Sequence, residues 1–530
     1  MERRLTLLAA ILALFLVGAA PLGVMLWKSV HVDGALSLSR YLKLIGEAGT
    51  LSPVLVRSLV LALSVTLVAT VTGVALGVIL GKTDLAWRKT LALLFCLPLV
   101  VPPYVLSLSW FAAVSEDSPL ALLIPASVLQ FFSGQLFALP GCIWVLSSAL
   151  MPIVMILTMV YLRAVNPRVE EAARLSTGWI NVLRHITVPM IFPSIVFSAL
   201  LVFLLALGEV GVPMFLHLPV FAVETLTQIA AFYDFGAAMV TALPLLLVAL
   251  ILLALERRHL RDHLQMLTAL THSKEIALIP LGHIGPPVLA ATIILAVIAV
   301  LLPFSMILTQ SLAGSGYAEA WSHASASVWH SVLISTISAC LLTALGFLLG
   351  YVVHHRIWPA WNAVDSVTLL LFILPGTVIG IGLIELWNRP SMNWIYGTSA
   401  MIVLACLAQY VALPCRITMG AMANVPSALE DAAQIVGAPW FARLRHVILP
   451  SIAPALVVAW AVSYVFCMRD LGASMLVYPP GSEPLAVLIF SIMANGKPAV
   501  VSALSVILIA ATVMPLALLR LLVVRAGESR

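Results

Sequence analysis

The sequence predicts an all-α polytopic membrane protein with about twelve transmembrane helices in two parallel six-span repeats. Three observations predict it. Of 530 residues, 62% are hydrophobic and only 9% are charged, with a mean hydropathy of +1.13. A soluble domain carries about 25% charged residues, and its wet surface depends on them. The apolar residues gather in runs of about 20 or more, the length a helix needs to cross a bilayer. Finally, segments of the first half of the chain recur in the second. These features exclude a cytosolic enzyme, a secreted disulfide scaffold and a disordered chain. They exclude a transmembrane β-barrel as well, because barrel strands alternate polar with apolar residues.

Candidate spans lie near 5–27, 53–81, 90–113, 139–162, 191–212 and 236–255, and again near 285–309, 327–353, 365–386, 398–415, 451–468 and 498–523. The stretch 119–132 is apolar but short and carries Pro125, so it reads as a re-entrant or interfacial piece. The run after Met1-Glu2-Arg3-Arg4 extends to Trp27. That is longer than the apolar region of a signal peptide, about 7–15 residues, and it reads as a first span that stays in place. Six cysteines (Cys96, Cys142, Cys340, Cys406, Cys415, Cys467) lie in or beside apolar stretches without metal-ligand spacing, as small core hydrophobes do.

Lysine and arginine set orientation. With the N-terminus inside, 20 of the 27 fall in cytoplasmic segments, while the acids divide evenly. Both termini are therefore expected in the cytoplasm, with an even number of spans.

The duplication is the most informative feature. Trp179, Leu183, Arg184, His185, Pro189 and Pro193 recur at an offset of 261 as Trp440, Leu444, Arg445, His446, Pro450 and Pro454. The same offset carries Glu209 onto Asp470 and Gly211 onto Gly472. Upstream the offset is 273, where Ser58, Gly73 and Gly77 fall on Ser331, Gly346 and Gly350. Apolar helices can match glycines by chance, but not Leu-Arg-His-x₃-Pro in two polar segments. The expected organisation is a first half over 1–255, a cytoplasmic linker over 256–275 and a second half over 276–530. Parallel repeats imply a pseudo-two-fold axis along the membrane normal and a pathway between the halves.

Each half carries one long polar segment, about 163–190 and 416–450. Each starts a short helix after a proline (Pro167, Pro426), with acids in its first turn: Glu170-Glu171-Ala172-Ala173 and Glu430-Asp431-Ala432-Ala433. Gly178 and Gly437 then break the helix. A second short helix carries Arg184 or Arg445 before Pro189 or Pro450 opens the next span. One such elbow reads equally as an amphipathic connector. Two with the same residues point to a docking platform.

At these residues the chain resembles a known family. Acid-Ala-Ala-x₃-Gly, closing with Val447-Ile448-Leu449-Pro450, is similar to the EAA loop of membrane permease subunits of type I binding-protein-dependent ABC importers. The second copy holds the family spacing, with Asp431 for glutamate. In the first, Gly178 stands seven residues after Glu171, Pro189 comes one residue early, and Val188 replaces leucine. Leu97-Pro98 with Pro102-Pro103-Tyr104-Val105, and Leu374-Pro375-Gly376, resemble the proline-containing third span of such permeases. Leu476-Val477-Tyr478-Pro479-Pro480-Gly481-Ser482-Glu483 resembles an outer loop of the fused permeases of the ferric-iron type.

The resemblance implies a fused two-half permease of the bacterial inner membrane. It implies two cytoplasmic ABC ATPase subunits, which bind Mg-ATP, and an extracytoplasmic substrate-binding protein; no nucleic acid is involved. Glu171, Ala172, Ala173, Gly178 and Arg184, with Asp431, Ala432, Ala433, Gly437 and Arg445, become the candidate ATPase-coupling residues. The chain itself needs no cofactor or catalytic residue. Gly77, Gly81, Lys82 and Thr83 mimic a nucleotide-binding loop, but three residues separate the glycines where that motif needs four. Gly73, Gly77 and Gly81 instead read as a small-residue face for close helix packing.

Glu209 and Asp470, with Pro98, Pro102 and Pro375, are candidate pathway or gate residues. Acids near hydrocarbon face a cavity, a partner or the pore, or they are structurally paired, as Arg469 allows for Asp470. The histidines form no cluster, and no metal site is expected. The substrate candidates are iron(III), thiamine, an aminoalkylphosphonate, a sugar phosphate or a polyamine, with iron leading. A secondary transporter driven by an ion gradient fits the span count, but gives no reason for two elbows.

Overall fold

A computed structural model of the chain describes residues 2–32, 35–46, 48–115, 118–122, 124–230, 235–259, 278–359 and 361–528. It is helical nearly throughout. Helices satisfy their own backbone groups, which hydrocarbon cannot do for them. Among the described residues eight helices are long and apolar enough to cross a membrane: Glu2–Ser29, Ser52–Lys82, Leu139–Leu162, Trp179–Leu207, Gly282–Ser311, Gly316–His354, Trp440–Met468 and Pro498–Leu521. Counting three sharply bent pairs as one span each gives eleven rather than the twelve expected. The apolar part of the expected span 236–255 is the shorter helical stretch Ala238–Leu252. The segment 119–132 forms a turn of 3₁₀ helix, Pro119–Leu122, and then the eleven-residue helix Ala126–Leu136. Of the expected linker, only 256–259 is described, as the end of helix Phe235–His259; its remainder lies outside the described residues.

The prolines do two different things. Expected spans 90–113 and 365–386 are not straight crossings. Arg88–Val100 meets Pro103–Val114 at 102°, and Trp361–Ile373 meets Gly376–Trp387 at 111°. Proline drives the residue before it out of the α region, so Val101 is extended and the turn falls at Pro102 (φ −56°, ψ 136°). Pro375, 273 residues later, has the same backbone (φ −54°, ψ 138°). In the expected span 398–415, the helix Ala400–Tyr410 follows Pro390–Tyr396, which lies before the expected span, across a bend of 79°.

Elsewhere proline is absorbed. Pro21, Pro189, Pro303 and Pro450 each follow, two residues on, a π-helical turn: Phe15–Ala19, Leu183–Thr187, Val297–Leu301 and Leu444–Ile448. In each, the residue before the proline donates its N–H five residues back, as Val188 does to Leu183 and Leu449 to Leu444. A proline ring clashes with the carbonyl four residues before it. Widening the turn makes room, so the helix continues. The second short helix expected in each elbow is therefore not separate. Trp179–Leu207 and Trp440–Met468 each run unbroken from polar segment into span.

Packing divides the chain into two compact units that are interleaved in sequence. One comprises Met1–Leu51, Glu224–Leu247 and Ser315–Arg530; the other comprises Ser52–Val223 and Val248–Gly314. In the first unit, Leu7 joins a core with Phe347, Tyr351, Trp440, Leu444 and Ile448. In the second, Met306 packs on Ala112 and Ala113. There Ile279 also pairs with the chain at the end of helix Ser52–Lys82: it donates to the Lys82 carbonyl (2.8 Å) and accepts from Asp84 N–H (3.2 Å).

The small-residue faces are close contacts. A Cβ on Gly73 would stand 2.7 Å from Val154 Cβ, and one on Gly77 2.6 Å from Thr158 Cβ. In the other unit, Gly346 and Gly350 would meet Pro414 Cγ at 2.6 Å and the Cys415 carbonyl at 2.9 Å. Ser58 Oγ accepts the first N–H of helix Phe221–Ala230 (2.8 Å), and Ser331 Oγ that of helix Leu485–Ile492 (2.7 Å).

Candidate functional site

Each elbow consists of a short helix, a joint and the start of a long helix. In the first, Asn166 caps Pro167–Arg174 by accepting the Arg168 N–H (3.0 Å). The chain turns at Gly178, whose φ of −75° any residue could adopt, and restarts at Trp179. Arg174 stacks over the Trp179 ring, 4.9 Å from its centroid. In the second, Ser427–Ile435 ends at Gly437, φ +81°. Ala438 there donates to the Ala433 carbonyl (3.1 Å) and Gly437 to that of Gln434 (3.0 Å). A left-handed glycine ends a helix in the fewest residues. The first elbow lacks that device and is one residue shorter, which is where the repeat offset steps from 260 to 261.

The paired acids divide their duties. On both short helices the second acid, Glu171 or Asp431, is exposed, with Ala172 and Ala432 exposed beside it and Ala173 and Ala433 half-buried. Arg184 and Arg445 are exposed too. Around them each elbow displays apolar side chains at matching stations: Val169, Leu175 and Ile180 in the first, Leu429, Ile435 and Phe441 in the second. Leu175 is 92% exposed and Ile435 86%.

The first acid of each pair faces inward. Glu170 is fully buried; it accepts from Lys82 Nζ (2.5 Å) and from Thr187 Oγ1 (2.6 Å). Glu430 accepts from the Tyr351 hydroxyl (3.1 Å), which itself accepts from Trp440 Nε1 (3.2 Å). Arg443 Nε and His355 Nε2 stand 3.8 Å from its two oxygens. Residue-type reasoning passed over these inward acids. The available signal was the 273 offset, which places Lys82, at the end of Ser52–Lys82, on His355, just past the end of Gly316–His354.

Of the candidate pathway residues, Glu209, Pro98 and Pro102 lie in one unit, and Pro375 and Asp470 in the other. This acid is 5% exposed and accepts from Tyr410 Oη (2.7 Å) and from Ser474 N (2.8 Å) and Oγ (2.6 Å). The Arg469 guanidinium lies 5.1 Å from the centre of the Phe466 ring. Gly376, beside Pro375, presses on the same corner: a Cβ there would stand 2.7 Å from Ala473 N. In the other unit, half-buried Glu209 accepts the Gly211 N–H (3.1 Å) and lies within electrostatic range of buried Tyr104, two residues past Pro102. Pro98 is buried inside Arg88–Val100. Among the described residues, no group of three or more His, Cys, Asp or Glu side chains is arranged to hold a metal ion.

Residues 342–530 match the family described as the binding-protein-dependent transport system inner membrane component. Over 95% of its length the chain is 23% identical to the ferric transport system permease protein FbpB of Actinobacillus pleuropneumoniae, of which 76% is covered. Over 84% it is 25% identical to the probable ABC transporter permease protein y4fN of Sinorhizobium fredii, with 83% of that protein covered. A stretch of 30% of the chain is 31% identical to the putative 2-aminoethylphosphonate transport system permease protein PhnV of Salmonella typhimurium. The match spans 61% of that relative's length. Over these stretches the chain is similar to binding-protein-dependent ABC permeases.

Proposed function

We propose that this chain, similar to the binding-protein-dependent inner-membrane permeases, is the fused two-half transmembrane subunit of an ABC importer, with both termini in the cytoplasm. It forms the substrate pathway and couples it to two ATPase subunits, one seated on each elbow. A binding protein outside delivers the substrate. ATP-Mg belongs to the partner subunits; this chain moves and performs no bond chemistry.

The observation that carries this reading is the repeated outward display. Exposed apolar side chains surround an exposed acid at the same stations of two elbows. Apolar groups concentrated on a polar segment mark an interaction surface, and the acid offers a partner a charged contact. Displacement of an elbow has a direct route inward. Trp179–Leu207 and Trp440–Met468 continue from elbow to bilayer without a break, so a push on the elbow becomes motion of a span. Alternating access follows from that linkage.

Iron(III), or another small solute held by the binding protein, is the proposed cargo. The ferric permease relative supports iron because it covers nearly the whole chain; the phosphonate relative keeps an aminoalkylphosphonate open. Co-expression with the candidate ATPase and affinity capture of the complex test the reading. Stimulation of hydrolysis in proteoliposomes by the iron-loaded binding protein is the expected result. A chain that captures no ATPase, and moves solute on an ion gradient alone, would overturn it.

A further inference from the structure

Each elbow is clamped to the membrane helices by its inward acid, and the two clamps are built from different residues. We propose that Glu170 and Glu430 are positioning residues for coupling: each makes its short helix move as one body with the span before it and the span after it. This rests on the coupling role proposed above.

The geometry joins the same three elements twice. Glu170 on Pro167–Arg174 is bound by Lys82, the last residue of Ser52–Lys82, and by Thr187 in the π-helical turn of Trp179–Leu207. Glu430 on Ser427–Ile435 is bound by Tyr351 near the end of Gly316–His354, and faces Arg443 near the start of Trp440–Met468. At the repeat offsets Thr187 corresponds to Ile448, Val182 to Arg443, and Val78 to Tyr351. Neither clamp could be carried over residue by residue from the other, yet both tie the same three helices. A helix of eight or nine residues at a membrane surface has little stability of its own, since nucleation is costly. Untied, it would give way under load rather than pass the load on.

The clamps differ in stiffness. Lys82 and Glu170 are 1% and 0% exposed, so water cannot compete for either. Glu430 is 19% exposed and His355 32%, and the cation nearest Glu430 stands 3.8 Å away. The second elbow is therefore the one that yields first.

The test uses the complete complex with its ATPase and binding protein in proteoliposomes. Lys82→Met with Glu170→Met removes both charges without stranding one in the interior; Glu430→Gln weakens the second clamp. Both are expected to assemble with the ATPase and keep basal hydrolysis. Stimulation by the binding protein should fall about 5-fold or more, the lower range of coupling between sites, with transport per ATP falling alongside it. The exchange Lys82→Glu with Glu170→Lys should restore stimulation, which a purely local role for either residue does not predict. Normal stimulation in the Met pair and in Glu430→Gln would overturn the proposal. So would loss of ATPase capture in both, which would assign the inward acids to docking. A wild-type chain that captures no ATPase would sink the coupling role itself, a result distinct from either.

Discussion

Lys82 and Glu170, 88 residues apart in the chain, meet at 2.5 Å with both side chains shut away from solvent. A buried ion pair adds little against an apolar pair of the same shape, because desolvation offsets attraction; losing one partner is costly because it strands a charge. Lys82→Ala should therefore destabilise the folded chain by roughly 3–5 kcal/mol. Lys82→Met with Glu170→Met should cost much less. Thermal unfolding in detergent checks the order, and an equal loss in both variants would contradict it.

His355 gives the second elbow a pH dependence. Burial holds its pKa below the ordinary imidazole value; Glu430 pulls it upward and Arg3 adds to the lowering. The Tyr351 and His354 rings also face it, with centroids 4.3 and 5.0 Å away. A lowered folded-state pKa means that the unfolded chain takes up the proton more readily. Stability is then full above the ordinary value of about 6.5 and is lost as pH falls toward the lowered one. Amide-exchange protection across 427–446, taken relative to the intrinsic rate at each pH, should fall from about pH 7 to about pH 5. His355→Gln should flatten that dependence, and an unchanged slope would remove His355 from the account.

The glycine faces leave no room for a side chain. Gly77→Leu and Gly350→Leu should each cost about 1–3 kcal/mol or more through overpacking, seen as lower folded yield and an earlier thermal transition. Gly23 has no atom within 4 Å of its missing Cβ and supplies the control. Yields equal to that of Gly23→Leu would show that these helices separate freely.

Asp470 accepts three hydrogen bonds in a buried corner, the mark of a structural anchor. Asp470→Ala orphans the Tyr410 and Ser474 donors and should cost roughly 1–3 kcal/mol for each buried group left unsatisfied. The transition temperature should fall. Unchanged stability with altered solute specificity would instead make Asp470 a pathway residue.

Much of this was legible in the sequence. Hydropathy found the apolar helices, and the repeat offset paired Gly73 with Gly346 and Gly77 with Gly350 before any coordinate was needed. Hydropathy has no direction, however, so a run folded back by more than 100° at Pro102 or Pro375 scores like a straight span. Pro189 and Pro450 read as breaks because a proline's cost in a helix is visible in sequence, whereas the wider turn that relieves it is not. Glu170 and Glu171 are adjacent and chemically alike. Which faces inward depends on where Lys82 and Thr187 stand, and only tertiary packing decides that. The exchange of first spans between packing units is hidden for the same reason: an apolar helix does not name its neighbour.

The outward acids carry the central claim, and the most direct measurement is binding-protein-stimulated ATP hydrolysis by a complex bearing Glu171→Lys with Asp431→Lys. Both side chains are exposed on polar segments, so the membrane helices should fold and the chain should express at its usual level. Stimulated hydrolysis and transport are expected to fall together, because the seat of the ATPase is lost on both elbows. Retained assembly with normal stimulated hydrolysis would contradict the account and leave the two acids as no more than favourable charges in the first turns of their helices.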